Sequence, residues 1–189
     1  MKITTTQQNR IDLAKMFGEL GFKRGAEIGV KRGNFSAELC INIKSLAKLY
    51  SVDPWGLVFE DPASIRLGIG GQERTYRQAW RRLRHYPVCE IVRKTSLEAV
   101  RDIPYNSLDF VYIDGSHMFD YVMTDIIEWF KRVRKGGIVS GNDYKPMMFE
   151  EVGFAVDTYV RAHKIKTLNL MDPKKEDDHP LITWWFKKQ

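Results

Sequence analysis

The sequence predicts an α/β domain: a seven-stranded, mostly parallel sheet with helices on both faces, ending in an antiparallel C-terminal hairpin. Three observations carry this. Short β-type apolar runs, from Gly25-Ala26-Glu27-Ile28 to Ile138-Val139-Ser140, alternate with apolar stripes at helical spacing, which implies parallel strands joined by crossover helices. A turn from Gly29 to Gly33 separates the first run from its helix, as expected within a βαβ unit. The last two runs, Lys166 to Met171 and Leu181 to Phe186, are joined by a charged turn too short for a helical crossover, so they must pair antiparallel.

The elements follow in order. Ile11, Ala14, Phe17 and Leu20 lie at helical spacing and Gly21 follows as a stop, so residues 1–22 read as an N-terminal helix. After the first strand, Asn34 caps a second helix with Phe35, Leu39 and Ile43 inward. Lys48 to Val52 is a strand that breaks at Asp53-Pro54. Residues 54–87 carry Asp61-Pro62, Gly68 and Gly70-Gly71, and read as a flexible loop followed by a basic, aromatic helix from Thr75 to Tyr86. Val88 to Val92 is a β-branched strand, and Ser96 caps a short helix to Val100. Leu108 to Ile113 suits a strand buried on both faces. Met118, Val122, Ile126, Trp129, Phe130 and Val133 form a helical stripe. Asp120 favours its N-terminal end and Lys131, Arg132, Arg134 and Lys135 its C-terminal end, and Gly136-Gly137 stops it. After the fifth strand, Pro146 opens a helix with Met148, Val152, Ala155 and Tyr159 on one face.

Composition narrows the function. With 189 residues, 43% hydrophobic and 29% charged, the chain reads as one globular domain, not a disordered chain, a collagen or a coiled coil. Its apolar runs fall short of the roughly 18 residues that span a bilayer, and Met1 to Gln8 lacks the apolar core of a secretory signal. No membrane partner is expected, and a cytoplasmic location is. Two cysteines, Cys40 and Cys89, exclude a disulfide scaffold and a four-cysteine zinc site and fit a reducing compartment. The net charge of +6 is a mild basic excess, densest from Arg77 to Arg84. That stretch reads either as a phosphate-binding face or as a solvated helix surface.

In open sheets of this type, ligands bind outside the C-terminal strand ends. The polar residues there are Glu27, Asp53, Thr95, Ser96, Asp114, Asn142 and Asp143, and they are expected to share one crevice. The turn from Glu27 to Gly33 has the spacing E-x-G-x-x-x-G, not the G-x-G-x-x-G that cradles a dinucleotide. The acidic Glu27 suits a ligand with an ammonium or hydroxyl group. Asp53, about twenty residues beyond the glycines, is placed to accept the hydroxyls of a ribose.

Glu27-Ile28-Gly29 to Gly33 followed by Asp53 resembles the first two motifs of class I S-adenosylmethionine-dependent methyltransferases. Asp114-Gly115-Ser116-His117-Met118-Phe119, then Asp125, Trp129, Gly136-Gly137 and Gly141-Asn142-Asp143-Tyr144, resembles their small D-G-x-H / H-D-Y type (Methyltransferase-24-like), related to catechol and macrolide-sugar O-methyltransferases. The resemblance runs from about Arg24 to Phe186 and implies a single Rossmann-like methyltransferase domain over residues 1–189, with S-adenosylmethionine as cofactor. It implies that Glu27, Gly29 and Gly33 line the methionine end, Asp53 holds the ribose hydroxyls, Ser96 lies near the adenine and Asp114 lies under the methyl donor. In metal-using relatives, the positions of Asp114, Asn142 and Asp143 bind magnesium, and three oxygen donors suit such a cation. Asn142 stands where many relatives have histidine and Phe119 where the pattern has tyrosine, so magnesium stays an open expectation. His117 is the candidate general base, or else a helix cap, and Asp143 is the second candidate catalytic residue.

The implied activity is in-line O-methylation of a small molecule such as a sugar or polyol. The alternatives are an RNA or protein methyltransferase using the basic 77–84 helix, and a catalytically silent binding module. The Asn-Pro-Pro-aromatic signature of adenine N6-methylation and the cysteine motif of cytosine C5-methylation are absent, which weighs against a base as acceptor. Trp55, Trp184 and Trp185 are candidate exposed aromatics for a homodimer.

Overall fold

The computed structural model describes residues 1–56, 62–144, 150–173 and 182–189. Among them, eight strands form one sheet: β1 (Lys2–Thr6), β2 (Arg24–Ile28), β3 (Lys48–Val52), β4 (Cys89–Val92), β5 (Leu108–Ile113), β6 (Val133–Gly141), β7 (Thr167–Met171) and β8 (Thr183–Lys187). Their order is β1-β7-β8-β6-β5-β2-β3-β4. β8 runs antiparallel to both β6 and β7, and every other pairing is parallel. The expected α/β class, mostly parallel sheet and C-terminal antiparallel pair are all present.

The strand count differs from the expected seven, and the difference lies at the N-terminus. Lys2–Thr6, expected within a helical segment, is an edge strand aligned with β7 from Lys2↔Thr167 to Thr6↔Met171. Ile3 and the three threonines are β-branched and favour extended backbone, and the Thr4 hydroxyl donates to Asn169 Oδ1 at 2.6 Å.

Six α-helices are described, α1 (Arg10–Glu19), α2 (Asn34–Asn42), α3 (Pro62–Leu83), α4 (Ser96–Ala99), α5 (Phe119–Arg132) and α6 (Glu150–Ala162), and a 3-10 turn, Val100–Asp102, follows α4. On one face, Leu13 and Phe17 of α1 and Phe35 and Leu39 of α2 pack on Leu49, Phe110 and Tyr112. On the other, Val122, Ile126 and Trp129 of α5 and Val152, Ala155 and Tyr159 of α6 pack on Val111, Val139 and Trp184. β5 is thus covered on both sides, as its apolar run requires.

Several element ends move. Asn9 caps α1 through a capping box with Asp12, and Ile11 and Leu20 are exposed while Leu13, Ala14 and Phe17 are buried. Asn34 is the first residue of α2 and not its cap. Gly33 takes the cap position at φ 74°, a left-handed conformation that a glycine adopts without a Cβ clash. α3 reaches back to Pro62, with a break at Gly68 (φ 64°, ψ 170°), so the expected helix from Thr75 is its second part. Thr95, not Ser96, caps α4, in a capping box with Glu98. α5 ends at Arg132 and β6 begins at the next residue, so Gly136-Gly137 lie within the strand and do not act as a stop. Pro146, Met148, the charged turn after Pro173 and Leu181 lie outside the described residues; α6 buries Val152, Ala155 and Tyr159 as expected.

Trp55 and Trp184 are buried at 2% and 0% exposure, which removes two of the three aromatics expected to be exposed for a dimer. Their indole N–H groups explain the burial. Trp55 donates to Lys31 O at 2.8 Å and Trp184 to Asn142 O at 3.1 Å, so each ring enters the core with its polar group satisfied. No described helix is long and apolar enough to cross a membrane.

Candidate functional site

The strand order β6-β5-β2-β3 brings Asn142 and Asp143, Asp114, Glu27 to Gly29, and Asp53 to neighbouring strand ends. Glycine is required at the centre of this row. Gly29 has φ 89°, its N–H donates to Val52 O at 2.9 Å, and the adjoining Ile28 O accepts from Asp114 N at 2.7 Å. A Cβ there would lie 2.1 Å from the carbonyl oxygen of Asp114, so the turns after β2 and β5 close on each other only without a side chain.

Beneath the turn, Glu27 is 1% exposed. Its carboxyl accepts from the Ser36 hydroxyl, and Ser36 Oγ lies 2.8 Å from Ser51 Oγ. Burial pushes the Glu27 carboxyl well above the usual range, opposed by that hydrogen bond. Asp53 closes the turn from the side. Its Oδ2 accepts from the backbone N–H groups of Val30 (3.0 Å) and Lys31 (2.8 Å), and its Oδ1 from Trp55 N (2.8 Å). Burial raises its pKa and these three bonds oppose the rise. A carboxylate offers about four acceptor positions, so room for one ribose hydroxyl remains, on Oδ1.

At the β5 and β6 ends, Ile113, Asp114, Gly115, His117, Asn142 and Asp143 line a small recess. His117 Nε2 is 3.0 Å from Asp143 Oδ2. Asp143 sits at φ 57°, a left-handed conformation that aspartate tolerates better than most residues. The Asn142 amide donates to Asp143 Oδ1 at 3.2 Å, and its oxygen accepts from the Thr183 hydroxyl at 3.3 Å. Asp114 is pushed up to about 7 by burial and by the nearby Asp143, with Arg10 and His117 opposing.

The three candidate metal donors are neighbours, but each is engaged otherwise. Asn142 turns its oxygen to Thr183, Asp143 is held by His117 and Asn142, and Asp114 faces Arg10. Among the described residues, no group of three or more His, Cys, Asp or Glu side chains is placed to hold a metal. In this arrangement the three side chains are engaged with Thr183, His117 and Arg10 rather than turned to one common centre.

Ser96, expected near the adenine, is committed to a structural triad. It donates to Asp125 Oδ1 and accepts from Trp129 Nε1 at 2.8 Å. Burial raises Asp125 to about 7, with the Ser96 bond opposing. The folded state therefore holds this proton more tightly than the unfolded chain, whose aspartate titrates near 4. Stability from this group is full below about pH 4 and is lost as pH rises to about 7, a loss on the order of 4 kcal/mol. Asp125→Asn, which keeps the acceptor without the ionisation, should raise the melting temperature at pH 8 and change it little at pH 4.5. Equal effects at both pH values would contradict a buried, titrating Asp125.

Arg10 carries no sequence signal, whereas the basic stretch expected from Arg77 to Arg84 is present at the end of α3 and extends back to Arg74. Arg10, the first residue of α1, reaches Asp114 Oδ2 at 3.4 Å and lies 5.4 Å above the Phe35 ring; no motif marks it. On α3, Arg74, Arg77, Arg81 and Arg84 are exposed, and their spacing puts them on one stripe. Arg84 lies 4.9 Å over the exposed Trp80, and Arg82 donates to the carbonyl of Arg32 in the glycine turn.

A family model described as a methyltransferase domain matches residues 26–144. The uncharacterized protein y4gI of Sinorhizobium fredii (strain NBRC 101917 / NGR234) is 26% identical over 110 residues, 58% of this chain and 11% of that protein. The chain thus spans about a tenth of the length of the curated relative it matches. Among solved structures, the O-methyltransferase NovP has a TM-score of 0.67 at 17% identity, with 95% of this chain and 79% of that chain covered. SMU.1697c from Streptococcus mutans, a candidate methyltransferase in complex with SAH, has a TM-score of 0.70 at 12% identity, with 97% and 100% covered. Spermidine synthase from Thermotoga maritima has a TM-score of 0.64 at 16% identity, with 93% and 57% covered. At these identities the likeness is one of fold.

Proposed function

The chain belongs to the methyltransferase domain family, and from that premise we propose that it methylates a hydroxyl of a small molecule, a sugar or polyol in class, using S-adenosylmethionine. The observation that carries this reading is the His117–Asp143 pair beside Asp114, one strand over from the glycine turn. S-adenosylmethionine supplies an electrophilic methyl group on a positively charged sulfur. Asp114, in its ionised form, offsets positive charge brought to the β5 end. Asp143 accepts from Nε2–H of His117, which fixes the tautomer with the lone pair on Nδ1. With the cofactor bound, that nitrogen would take the hydroxyl proton as the acceptor oxygen bonds to the methyl carbon and the carbon–sulfur bond breaks, its electron pair staying on sulfur to leave S-adenosylhomocysteine, and Asp143 would stabilise the imidazolium. The remaining contribution is to hold donor and acceptor in line.

The residues present suit such a cofactor. The acidic strand ends match a cationic ligand, and the Asp53 oxygen with room for one more bond matches a ribose hydroxyl. Calorimetric titration with S-adenosylmethionine and S-adenosylhomocysteine tests the reading: saturable binding is expected, and no binding of either ligand overturns it. Asp53→Ala should weaken both ligands tenfold or more, because it removes the ribose acceptor and releases the turn from Val30 and Lys31. Unchanged affinity would remove Asp53 from the cofactor site.

A nucleic-acid acceptor is the second reading, favoured by the arginine stripe on α3 and the exposed Trp80, a combination that suits phosphates and a stacked base. Inhibition of methyl transfer by an RNA oligonucleotide, fading as salt rises, would favour it over the small molecule.

A further inference from the structure

We infer that Arg10 receives the carboxylate at the methionine end of the cofactor, releasing Asp114 as it does so. This rests on the cofactor reading above. α1 begins at the ligand edge of the sheet, because β1 runs parallel to β7 and delivers the chain there. The Arg10 guanidinium is therefore carried over Phe35, in the first turn of α2, two residues beyond Gly33. The resemblance assigns this side of the glycine turn to the amino-acid end of the ligand.

The charges around that place explain why an arginine is needed. Asp114 and Asp143 suit a positively charged ligand, but in their ionised forms they would repel the carboxylate of the same ligand. Arg10 is a cation that the structure sets against a carboxylate of this crevice, and its side chain is 37% exposed, reachable from solvent. Its bond to Asp114, at 3.4 Å, is longer than the 2.7–2.9 Å of a well-formed charged pair. A guanidinium has five donors in a planar fork that matches a carboxylate with two parallel bonds. The long contact to Asp114 and an interaction with the Tyr112 hydroxyl engage only part of that capacity.

The exchange keeps both displaced groups paired. In the free protein, Arg10 and Asp114 offset each other. A sulfonium arriving at Asp114 would leave two cations on one carboxylate, unless Arg10 gained an anion of its own. The methionine carboxylate arrives on the same molecule as the sulfonium, so one ligand satisfies both groups. A ligand with the sulfonium but no carboxylate would leave the arginine opposing it.

The test compares ligands with and without that carboxylate. Wild type, Arg10→Gln and Arg10→Lys are titrated calorimetrically with S-adenosylhomocysteine and with 5′-methylthioadenosine, which lacks the amino-acid end. Thermal unfolding of each variant checks that it folds. Arg10→Gln should weaken S-adenosylhomocysteine tenfold to a hundredfold, in line with loss of a charged hydrogen-bond pair, and change methylthioadenosine less than twofold. Arg10→Lys should recover part of the loss. Equal weakening of both ligands would make Arg10 a structural prop for the turn and overturn the inference, as would unchanged binding of both. If wild type binds neither, the cofactor reading falls with it; if wild type binds both and only the selectivity is missing, the inference alone falls.

Discussion

Asp143→Ala is expected to lower turnover a hundredfold or more while leaving the affinity for S-adenosylmethionine within about threefold of wild type. Aligned general-base assistance contributes typically 10²- to 10⁴-fold, and His117 depends on Asp143 Oδ2, 3.0 Å away, for its orientation and tautomer. The substitution also puts alanine at φ 57°, which costs about 1–2 kcal/mol, so part of any loss could be one of folding. Asp143→Asn separates the two effects. Asparagine tolerates the same backbone and can accept from Nε2–H, but it supplies no charge to the imidazolium. Its turnover should fall between wild type and alanine, with stability close to wild type. The measurement is kcat and KM for the first sugar or polyol acceptor that gives turnover, beside calorimetry for the cofactor. Undiminished kcat in both variants would move the proton acceptor away from His117.

Gly29→Ala should cost more stability than any exposed substitution in the chain, about 4 kcal/mol or more, or prevent folding. Backbone meets backbone at this position. The added Cβ would lie 2.1 Å from Asp114 O and 2.4 Å from Asp114 C, neither of which can turn aside as a side chain can, and φ 89° adds strain of its own. Gly33→Ala is the control. Its φ is also left-handed, but the nearest atom is Leu83 Cδ1 at 3.0 Å, the end of a flexible side chain. A loss of about 1–2 kcal/mol is expected there. In thermal unfolding, a domain of this size loses roughly 2–4 °C per kcal/mol, so the two variants should be well resolved. Equal melting temperatures would mean that the β2 and β5 turns are further apart than the structure has them.

The central sheet was legible because its strands are apolar on both faces and are separated by glycine or Asp-Pro breaks. β5 and its helix α5 match their expected positions to within a residue or two at each end. The errors fall where side chains carry little information about burial. β1 is an edge strand of lysine, isoleucine and threonines, exposed along most of its length, so no alternation marks it. The caps of α2 and α4 fall one residue before the expected Asn34 and Ser96, because either position chemically suits a cap and only backbone angles decide between neighbours. The candidate site was legible as a set of strand ends, but its bonding was not. That Asp53 spends three acceptor positions on backbone N–H groups follows from how tightly the glycine turn folds back on it. That Arg10 reaches Asp114, 104 positions away, follows from the sheet order alone.

The sheet order also bears on the sequence of folding events. Among the described residues, β1 pairs only with β7, and β7 reaches the rest of the sheet only through β8. During synthesis, residues 2–6 emerge before the other seven strands, yet their place in the sheet does not exist until residues 183–187 have inserted beside β6. The pairing between β1 and β7 spans 165 positions, and contacts so remote in sequence form late and slowly. Strands β2 to β6 can assemble while β1 and β7 wait. The start of α1, which carries Arg10, would then be among the last parts of the molecule to settle, after the glycine turn beneath it has closed.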